Sequence, residues 1–193
     1  VVWMRQDMRH LHLPQQVEAV VCLYDSLNYL LDVDDLRSTF RAVADNLLPE
    51  GLFVFDMNTE YKLLNVEPET IHFQTRHGDL IWEHATDYGE QLWRVKLTGF
   101  VRSAEVPARA EIHDAVGSGA GGHAVDDAEA NVCYRRFVEE HAERGYPDFE
   151  IRGALLAAGM ALVDVYDAYT FDPPVPVSDR LFWVARKPER TTR

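Results

Sequence analysis

The sequence has little cysteine and no long apolar run, and both shortages restrict the class of protein it encodes. Only two of its 193 residues are cysteines, Cys22 and Cys133, and they lie far apart without metal-site spacing. Isolated thiols are typical of a reducing compartment rather than of a secreted, disulfide-bonded domain. No apolar stretch approaches the ~20 residues of a membrane-spanning helix, and no signal peptide is recognisable. The sequence therefore predicts a cytoplasmic protein.

The sequence also has few basic residues. The 19 lysines and arginines are outnumbered by 32 acidic residues, which gives a formal net charge of −13. Such a surface repels a nucleic-acid backbone, and the basic residues form no stripe that would offset the average. The eight histidines have no metal-ligand spacing, and no Gly-x-Ser-x-Gly motif is present. We therefore expect no nucleic-acid partner, no metal and no acyl-transfer nucleophile.

The first half of the chain alternates short apolar runs with one amphipathic segment, a pattern typical of βαβ units. Val17–Leu23 predicts a buried strand, and Leu52–Phe55 predicts a second one. Between them, apolar residues recur at helical spacing over Leu36–Leu48, with Asp34 as the expected N-cap and Pro49–Gly51 as the expected stop. This succession predicts a parallel strand pair with a right-handed crossover.

Polar residues follow both predicted strands at their carboxyl ends. Tyr24–Asn28 comes directly after the first strand, and Asp56–Thr59 comes directly after the second. In open parallel sheets the ligand binds beyond the carboxyl ends of the strands. We therefore predict a binding site where these two polar segments meet.

The remaining sequence predicts a small antiparallel sheet, then a helix and two closing strands. Between residues 71 and 140, apolar and aromatic residues alternate with tight-turn signals, as in a β-meander. Tyr146–Gly159 has helical spacing and ends on a glycine, and Ala161–Tyr166 and Leu181–Ala185 predict strands. Gly117–Gly122 matches Gly-x-Gly-x-x-Gly, but no buried strand precedes it and no convincing helix follows, so we expect a flexible loop.

Several segments, taken in order, resemble class I S-adenosylmethionine-dependent methyltransferases. They are Gln6–Arg9 with Leu11–Pro14, Cys22–Leu30, Leu47–Gly51, and Gly159–Tyr166 with Asp179–Lys187. The third is similar to the family's Leu-x-Pro-Gly-Gly turn, with Glu50 in place of one glycine. The resemblance covers nearly the whole chain, and the ordered set carries it rather than any single motif.

The resemblance implies an α/β fold, a Rossmann-like methyltransferase sheet that is incomplete at its N-terminus and carries an inserted antiparallel β-meander. We expect one methyltransferase-like domain over residues 1–193, with the insertion at residues 71–140. The resemblance also implies S-adenosylmethionine as the cofactor and a small molecule as the methyl acceptor.

The resemblance and the positions after the strands give eight candidate site residues. They are Asp7, Met8, Leu23 and Tyr24 for the cofactor, Asn28, Tyr29 and Asn58 for the substrate, and Asp25 for catalysis. Asp7 would bind the adenine amino group, Tyr24 and Tyr29 would attract a cationic methyl donor, and Asp25 would orient the acceptor. Structural alternatives stay open: a solvated carboxylate at Asp7, helix capping at Asp25 and Asn28, aromatic packing, and an Asx-turn at Asn58.

One departure from the family leaves two hypotheses open. The family's glycine-rich cofactor loop and its ribose-binding acid would precede Gln6, where this sequence has five residues. Val1–Met4 predicts a strand without its usual neighbour, so we expect a frayed start and an exposed apolar flank near Val20, Leu52 and the crossover helix, which invites self-association. The chain is then either a truncated methyltransferase or a degenerate, non-catalytic domain that serves binding or dimerisation.

Overall fold

The computed structural model describes residues 1–102 and 133–189, which form eight strands and three α-helices. In chain order these are β1 (Val17–Cys22), α1 (Val33–Asn46), β2 (Leu47–Asn58), α2 (Glu60–Leu64), β3 (Glu69–Thr75), β4 (Gly78–Asp87), β5 (Leu92–Arg102), β6 (Tyr134–Arg144), α3 (Asp148–Ala157), β7 (Ala161–Asp167) and β8 (Arg180–Arg186). Among the described residues, 1–68, 85–94 and 141–189 form a first compact unit, and 69–84, 95–102 and 133–140 form a second. No helix in these ranges combines the length and the apolar character needed to cross a membrane.

The sheet of the first unit has the strand order β1-β2-β8-β7. β1 and β2 run parallel, with Val20 opposite Phe53, and α1 connects them as predicted. β8 runs antiparallel to both β2 and β7. The carboxyl ends of β1 and β2 therefore lie at one edge of the sheet, and β8 begins at that same edge.

Aromatic side chains form the centre of this unit's core. The Phe40 ring of α1 lies 5.7 Å from the Phe53 ring and 5.2 Å from the Phe55 ring, and Trp183 of β8 stacks on Phe55. All four side chains are buried. Because burial of such rings dominates core energetics, this cluster holds α1 across the sheet and keeps the strand ends in register.

The start of α1 differs from the prediction. Its N-cap is Asp32, whose carboxylate accepts a hydrogen bond from the Asp34 N–H at 2.8 Å. The prediction of Asp34 as the cap was therefore wrong, because Asp34 already lies in the first turn. There its negative charge interacts favourably with the positive end of the helix dipole.

The end of α1 also differs from the prediction. The helix stops at Asn46 instead of Leu48, because β2 begins at Leu47, and the predicted stop Pro49–Gly51 lies inside that strand. Glu50 adopts a left-handed backbone with φ of 64°, and its N–H donates to the Lys187 carbonyl at 2.7 Å. The segment is therefore an irregular strand start, held by the end of β8.

The predicted strand at Val1–Met4 is wrong. These residues form no strand, and their side chains are exposed. Within the described residues their backbone has no sheet partner, while Gln6 and His12 hydrogen-bond to each other and hold the next segment in a loop. In the same unit Leu52 and Val21 are exposed, whereas Val20, which was expected at an exposed flank, is half-buried and packs against the core.

The closing segment of the first unit matches its prediction. α3 ends before Gly159, whose φ of 73° reverses the chain at little cost because glycine lacks a Cβ. β7 and β8 then pair antiparallel, with Val165 opposite Trp183. The predicted helix and both closing strands are thus confirmed.

The second sheet has the order β3-β4-β5-β6, which is the order of a meander. β3 and β4 pair antiparallel, with Phe73 opposite Leu80. Gly78 begins β4 with φ of 147°, and a Cβ there would lie 1.9 Å from the Phe100 carbonyl oxygen, so only glycine fits. The glycine-rich segment Gly117–Gly122 lies outside the described residues.

Substitutions at Glu50 test the strained start of β2. Glu50→Ala and Glu50→Gly remove the same ion pair with Arg186, but alanine retains the steric cost of the left-handed backbone. We expect Glu50→Gly to be more stable than Glu50→Ala by about 1 kcal/mol in urea unfolding. Arg41 is an exposed position inside α1 and serves as the control. There we expect Arg41→Gly to be less stable than Arg41→Ala, because glycine destabilises helices. Equal stabilities at position 50 would contradict this account of the strand start.

Candidate functional site

The ends of β1 and β2 bring the two polar segments together. The Asp25 backbone N–H donates to Asp56 Oδ2 at 3.2 Å, and the Asn58 N–H donates to Asn28 Oδ1 at 2.9 Å. The two segments lie close together because the residues that follow two parallel strands are at the same edge of the sheet. This edge is the candidate site, and every residue placed at it below belongs to the first unit.

The chain leaves β1 through a strained turn. Tyr24 and Asp25 have φ of 61° and 49°, so two successive residues with side chains adopt the left-handed backbone. Each such residue costs on the order of 1–3 kcal/mol and persists only where surrounding contacts enforce it. The turn starts a 3-10 segment, Ser26–Tyr29, and presents the Asp25 carboxylate towards the first residue of β8.

Arg180, at the start of β8, binds two carboxylates at once. Its Nη2 lies 2.6 Å from Asp25 Oδ1, and its Nη1 bonds Asp56 Oδ2. All three side chains are largely buried, Asp56 almost completely. Asp56 Oδ1 is also buried and has no hydrogen-bond partner among the described residues. One guanidinium thus offsets two carboxylates, and an acceptor oxygen remains unused beside them.

A third carboxyl group, Glu143 near the end of β6, faces the same cluster and is only 3% exposed. Its Oε2 accepts a hydrogen bond from Asn58 Nδ2 at 2.9 Å. Burial and the neighbouring Asp25 carboxylate together raise the pKa of Glu143 to about 7, although the Asn58 hydrogen bond and Lys62 act to lower it. A carboxyl group with such a pKa exchanges a proton near neutral pH.

Asn28 and Asn58 hold these groups in place. Asn28 is fully buried, and its Nδ2 donates to the carbonyls of Asn58 and Arg144 at 3.0 and 2.8 Å. Asn58 is buried as well, and Lys62 Nζ donates to its Oδ1 at 3.0 Å. The polar atoms of both amides are therefore engaged within the protein, and Asn28 ties the ends of β1, β2 and β6 together.

Two tyrosines border the cluster. Tyr29 is half-exposed, and its ring meets the edge of the His141 ring at 6.0 Å. Burial raises the pKa of Tyr29, and the charges of Glu143 and Asp25 raise it further. Tyr24 is 81% exposed, so its ring is free to cover a ligand at this edge.

The other cofactor candidates are Asp7 and Met8, which precede β1 in the sequence, and Leu23, which follows it. Asp7 caps the 3-10 turn Met8–His10 and is paired with Arg9, whose guanidinium also reaches Asp35 of α1 at 3.0 Å. Hydrogen bonds from Arg9 hold the pKa of Asp7 well below its usual range. Met8 packs against the core, and Leu23 is partly exposed just beyond β1.

Sequence reasoning missed three charged residues of the cluster: Arg180, Glu143 and Lys62. Each comes from a segment predicted on other grounds, and Arg180 lies 155 positions from Asp25 along the chain. One signal was available for Arg180, because it immediately precedes the apolar run of the last strand. A residue at that position lies close to the ends of the neighbouring strands. Glu143 carried no such signal, because the acidic run around it resembles an exposed strand.

Known proteins resemble this chain over almost its whole length, although no protein-family model matches it. The chain is 31% identical over 188 residues to "Putative methyltransferase YqeM" of Bacillus subtilis strain 168, which covers 97% of this chain and 66% of that protein. It therefore spans about two thirds of the length of the curated relatives it matches.

Solved structures resemble it in the same way. An S-adenosylmethionine-dependent methyltransferase from Clostridium acetobutylicum matches 95% of this chain and 63% of its own, with a TM-score of 0.71 and 25% identity. CalS10 of Micromonospora echinaspora is an amino pentose methyltransferase solved with S-adenosylmethionine bound. The match covers 94% of this chain and 63% of CalS10, with a TM-score of 0.59 and 18% identity. These similarities confirm the predicted Rossmann-like α/β fold.

Replacing Asn28 tests its role as the tie between the strand ends. Asn28→Ala leaves the buried Asn58 N–H without an acceptor, and such a group costs about 1–3 kcal/mol. We expect the free energy of unfolding in urea to fall by roughly that amount. Asn65→Ala, which removes an exposed amide with one local hydrogen bond, should change it by less than about 0.5 kcal/mol. Similar losses in the two variants would refute the assigned role.

The raised pKa of Glu143 predicts how stability depends on pH. Between its ordinary value of 4.5 and about 7, the folded protein keeps the Glu143 proton that the unfolded chain has lost. This group's contribution therefore falls as pH rises through that window, by roughly 3 kcal/mol in total. Glu143→Gln should be progressively stabilised relative to the parent protein from pH 4.5 to 8 in urea unfolding. The exposed Glu140→Gln should follow the parent, and a Glu143→Gln curve parallel to the parent curve would contradict the prediction.

Proposed function

We propose a methyl-transfer function for this chain, because it belongs to the class I S-adenosylmethionine-dependent methyltransferase family that its four segments predicted. The observation that carries the proposal is the 31% identity to YqeM, which extends over 97% of the chain. In the proposed reaction S-adenosylmethionine is the donor and a small molecule is the acceptor. The ionisable cluster at the strand ends, where open α/β sheets bind their ligands, supports an active site there.

The residues beyond β1 fit the donor's charged end. S-adenosylmethionine supplies a methyl group bound to a positively charged sulfur, and an exposed aromatic face attracts such a cation. Tyr24 offers that face, and the partly exposed Leu23 offers apolar contact beside it. We keep Asp7 and Met8 as the proposed adenine-side residues. Arg9 already engages the Asp7 carboxylate, so adenine would have to share it.

The carboxyl groups of Asp25 and Glu143 fit the acceptor side. A neutral amine or hydroxyl that accepts a methyl group must release a proton, and a base with a pKa near the working pH receives it best. Glu143 has such a pKa, and Arg180 holds Asp25 beside it. We propose that Asp25 orients the acceptor and that Glu143 takes the proton. Tyr29, at the border, would contact the acceptor.

Asn28 and Asn58 receive a revised role in this proposal. Both were predicted to contact substrate, but Asn28 is fully buried and its amide is used within the protein. Asn58 donates to Glu143 through Nδ2. We therefore propose that Asn28 positions Asn58, and that Asn58 in turn positions Glu143.

We propose five further properties of this chain. A truncated chain that depends on a preceding segment is supported by the coverage of the relatives, and self-association is supported by the exposed Val21 and Leu52. The absence of a nucleic-acid partner and a cytoplasmic location rest on the charge and on the two isolated thiols. We also propose the single domain with an insertion at residues 71–140.

Titration calorimetry with S-adenosylmethionine and S-adenosylhomocysteine tests the proposed donor site. Only the first ligand carries a sulfonium charge, so Tyr24→Ala should weaken its binding about 3- to 30-fold while affecting the second much less. Tyr88→Ala removes a similarly exposed ring elsewhere in the unit and should change neither affinity. Equal losses for both ligands would remove Tyr24 from the sulfonium site. If neither ligand binds, even after a relative's upstream segment is added, the non-catalytic binding module replaces the methyltransferase.

A further inference from the structure

The Asp25 and Glu143 side chains form a pair of carboxyl groups in direct contact. Burial is the largest cause of the raised pKa of Glu143, and the hydrogen-bonding contact with Asp25 adds to it. Arg180 Nη2 holds Asp25 Oδ1 at 2.6 Å, and Asn58 Nδ2 holds Glu143 Oε2 at 2.9 Å. Glu143 is buried, whereas 17% of the Asp25 side chain is exposed, so Asp25 is the member of the pair that a ligand reaches first.

The cluster around this pair has more negative than positive charge. Two cations, Arg180 and Lys62, act on the carboxyl groups of Asp25, Asp56 and Glu143, and all five residues belong to the first unit. The cluster therefore has one uncompensated negative charge when Glu143 is ionised, and none when Glu143 is protonated. A cation is thus expected to bind best to the ionised form.

The neighbouring cation Arg144 does not offset this excess. It follows Glu143 in β6, but its guanidinium pairs with Glu150 at 3.0 Å. The cluster is also short of hydrogen-bond donors, since Asp56 Oδ1 is buried and has no partner among the described residues. A ligand group that is both a cation and a donor would offset the missing charge and add donors at the exposed side of the pair.

Tyr29 borders the pair on its exposed side. Its side chain is half-exposed, and its ring meets the edge of the His141 ring. Burial raises the pKa of Tyr29, and the charges of Glu143 and Asp25 raise it further, so its hydroxyl lies within electrostatic reach of both carboxyl groups. A carboxylate beside an aromatic ring is a suitable place for an organic ammonium group.

An amine suits this cluster better than other methyl acceptors do. As an ammonium ion it brings the missing positive charge, and after it has given a proton to Glu143 both the amine and the cluster are neutral. A carboxylate acceptor would add a second uncompensated negative charge. A phenol loses its proton about as readily as an ammonium group, since both have ordinary pKa values of about 10, but the phenolate would leave a negative charge beside Asp25. An aliphatic hydroxyl holds its proton too tightly for a carboxyl group to remove it before methyl transfer.

We propose that Asp25 and Glu143 form an ammonium site, and that the methyl acceptor is an amine that binds there as a cation and loses a proton before it is methylated. The first statement stands on the contacts and charges of the cluster, and the second rests on the proposed function. The ammonium group donates to the Asp25 carboxylate and lies beside the Tyr29 ring.

The proton step gives the nitrogen the lone pair that methyl transfer requires. One N–H bond of the ammonium group breaks, and the proton passes through the Asp25 carboxylate to Glu143. The nitrogen then bonds to the methyl carbon as the sulfur–carbon bond breaks, and the electron pair of that bond stays on sulfur, which becomes neutral. The nitrogen takes the positive charge, and Glu143 later releases its proton to solvent. Compared with the ordinary pKa of 4.5, a pKa of about 7 at Glu143 raises the share of neutral bound amine about 300-fold.

Fluorine NMR with three probes of similar shape tests the ammonium site without any cofactor. 4-Fluorobenzylamine is a cation at both pH 6 and pH 8, 4-fluorobenzyl alcohol is neutral, and 4-fluorobenzoate is an anion. We expect the amine to bind about tenfold more weakly at pH 6 than at pH 8, because the ionised share of Glu143 falls from about nine tenths to about one tenth. The alcohol should bind more weakly than the amine at pH 8, with an affinity that does not depend on pH, and the benzoate should bind more weakly still. An amine affinity that is the same at both pH values, or an alcohol or benzoate that binds as tightly as the amine at pH 8, overturns the ammonium site.

The Glu143→Gln variant identifies the group that titrates. It should lower the affinity for the amine about tenfold at pH 8 and remove its pH dependence, because the amide resembles protonated Glu143. Glu140→Gln, at an exposed position of the same strand, should retain the parent's affinity and pH dependence. Asp25→Asn should weaken amine binding at pH 8, since it removes the carboxylate that the ammonium group contacts. Circular dichroism verifies that each variant is folded. A pH dependence that persists in Glu143→Gln overturns the site and would assign the binding to the overall net charge of −13.

Methyl transfer tests the acceptor statement separately. Calorimetry measures cofactor binding independently of these probes, so a chain that binds the amine but no cofactor retains the ammonium site and loses the proposed function together with its acceptor. If the cofactor binds, the protein is offered 4-fluorobenzylamine, 2-phenylethylamine and cyclohexylamine in a mixture with the corresponding alcohols. A gain of one methyl group in the mass of amines alone supports the amine assignment. Methylation of an alcohol, or of no compound in the mixture, overturns that assignment.

Discussion

The buried charge of Asp56 is the constraint around which the site is arranged. A carboxylate removed from water is tolerated only when a cation and hydrogen bonds replace its hydration, and breaking such a pair costs about 3–5 kcal/mol. Arg180 supplies the cation because β8 runs antiparallel to β2 and places Arg180 opposite Asn58. The same guanidinium holds Asp25, and Asp56 accepts from the Asp25 backbone. The left-handed turn after β1 therefore depends on the pairing of β2 with β8.

The hydrogen bonds that spread from this point serve geometry more than stability. Asn28 ties the end of β1 to Asn58, and Asn58 holds Glu143 in a buried position that raises the pKa of Glu143 to about 7. A protein selected only for stability would expose that carboxyl group or pair it with a cation. The left-handed turn at Tyr24 and Asp25 is strained, and the ionised form of Glu143 is destabilised. Functional sites retain features of both kinds although they lower stability. Their coincidence at the strand ends is the physical argument for chemistry there.

Local patterns predicted the elements well, because each strand and helix has its own periodicity. Val17–Leu23 extends one residue beyond the observed strand, and Leu181–Ala185 falls one residue short of the observed strand at each end, since apolar runs bounded by polar residues leave little choice. Predictions failed where a partner outside the segment decides the outcome. Val1–Met4 has strand composition without a neighbouring strand among the described residues, and the turn expected after α1 became strand because Lys187 accepts from Glu50. The site was predicted only as two strand ends, since its ion pairs join residues more than a hundred positions apart.

Lys62 shows how one peripheral charge determines the orientation of the proposed base. An asparagine amide has one accepting and one donating end, and a lysine ammonium group can only donate. Lys62 therefore requires Asn58 Oδ1 to face it, which turns Nδ2 towards Glu143. A carboxyl oxygen accepts that hydrogen bond in both the protonated and the ionised state, so the amide does not have to rotate when Glu143 gains or loses a proton. The cluster can then change its protonation state while the hydrogen bonds of Asn58 to Glu143 and Lys62 stay in place.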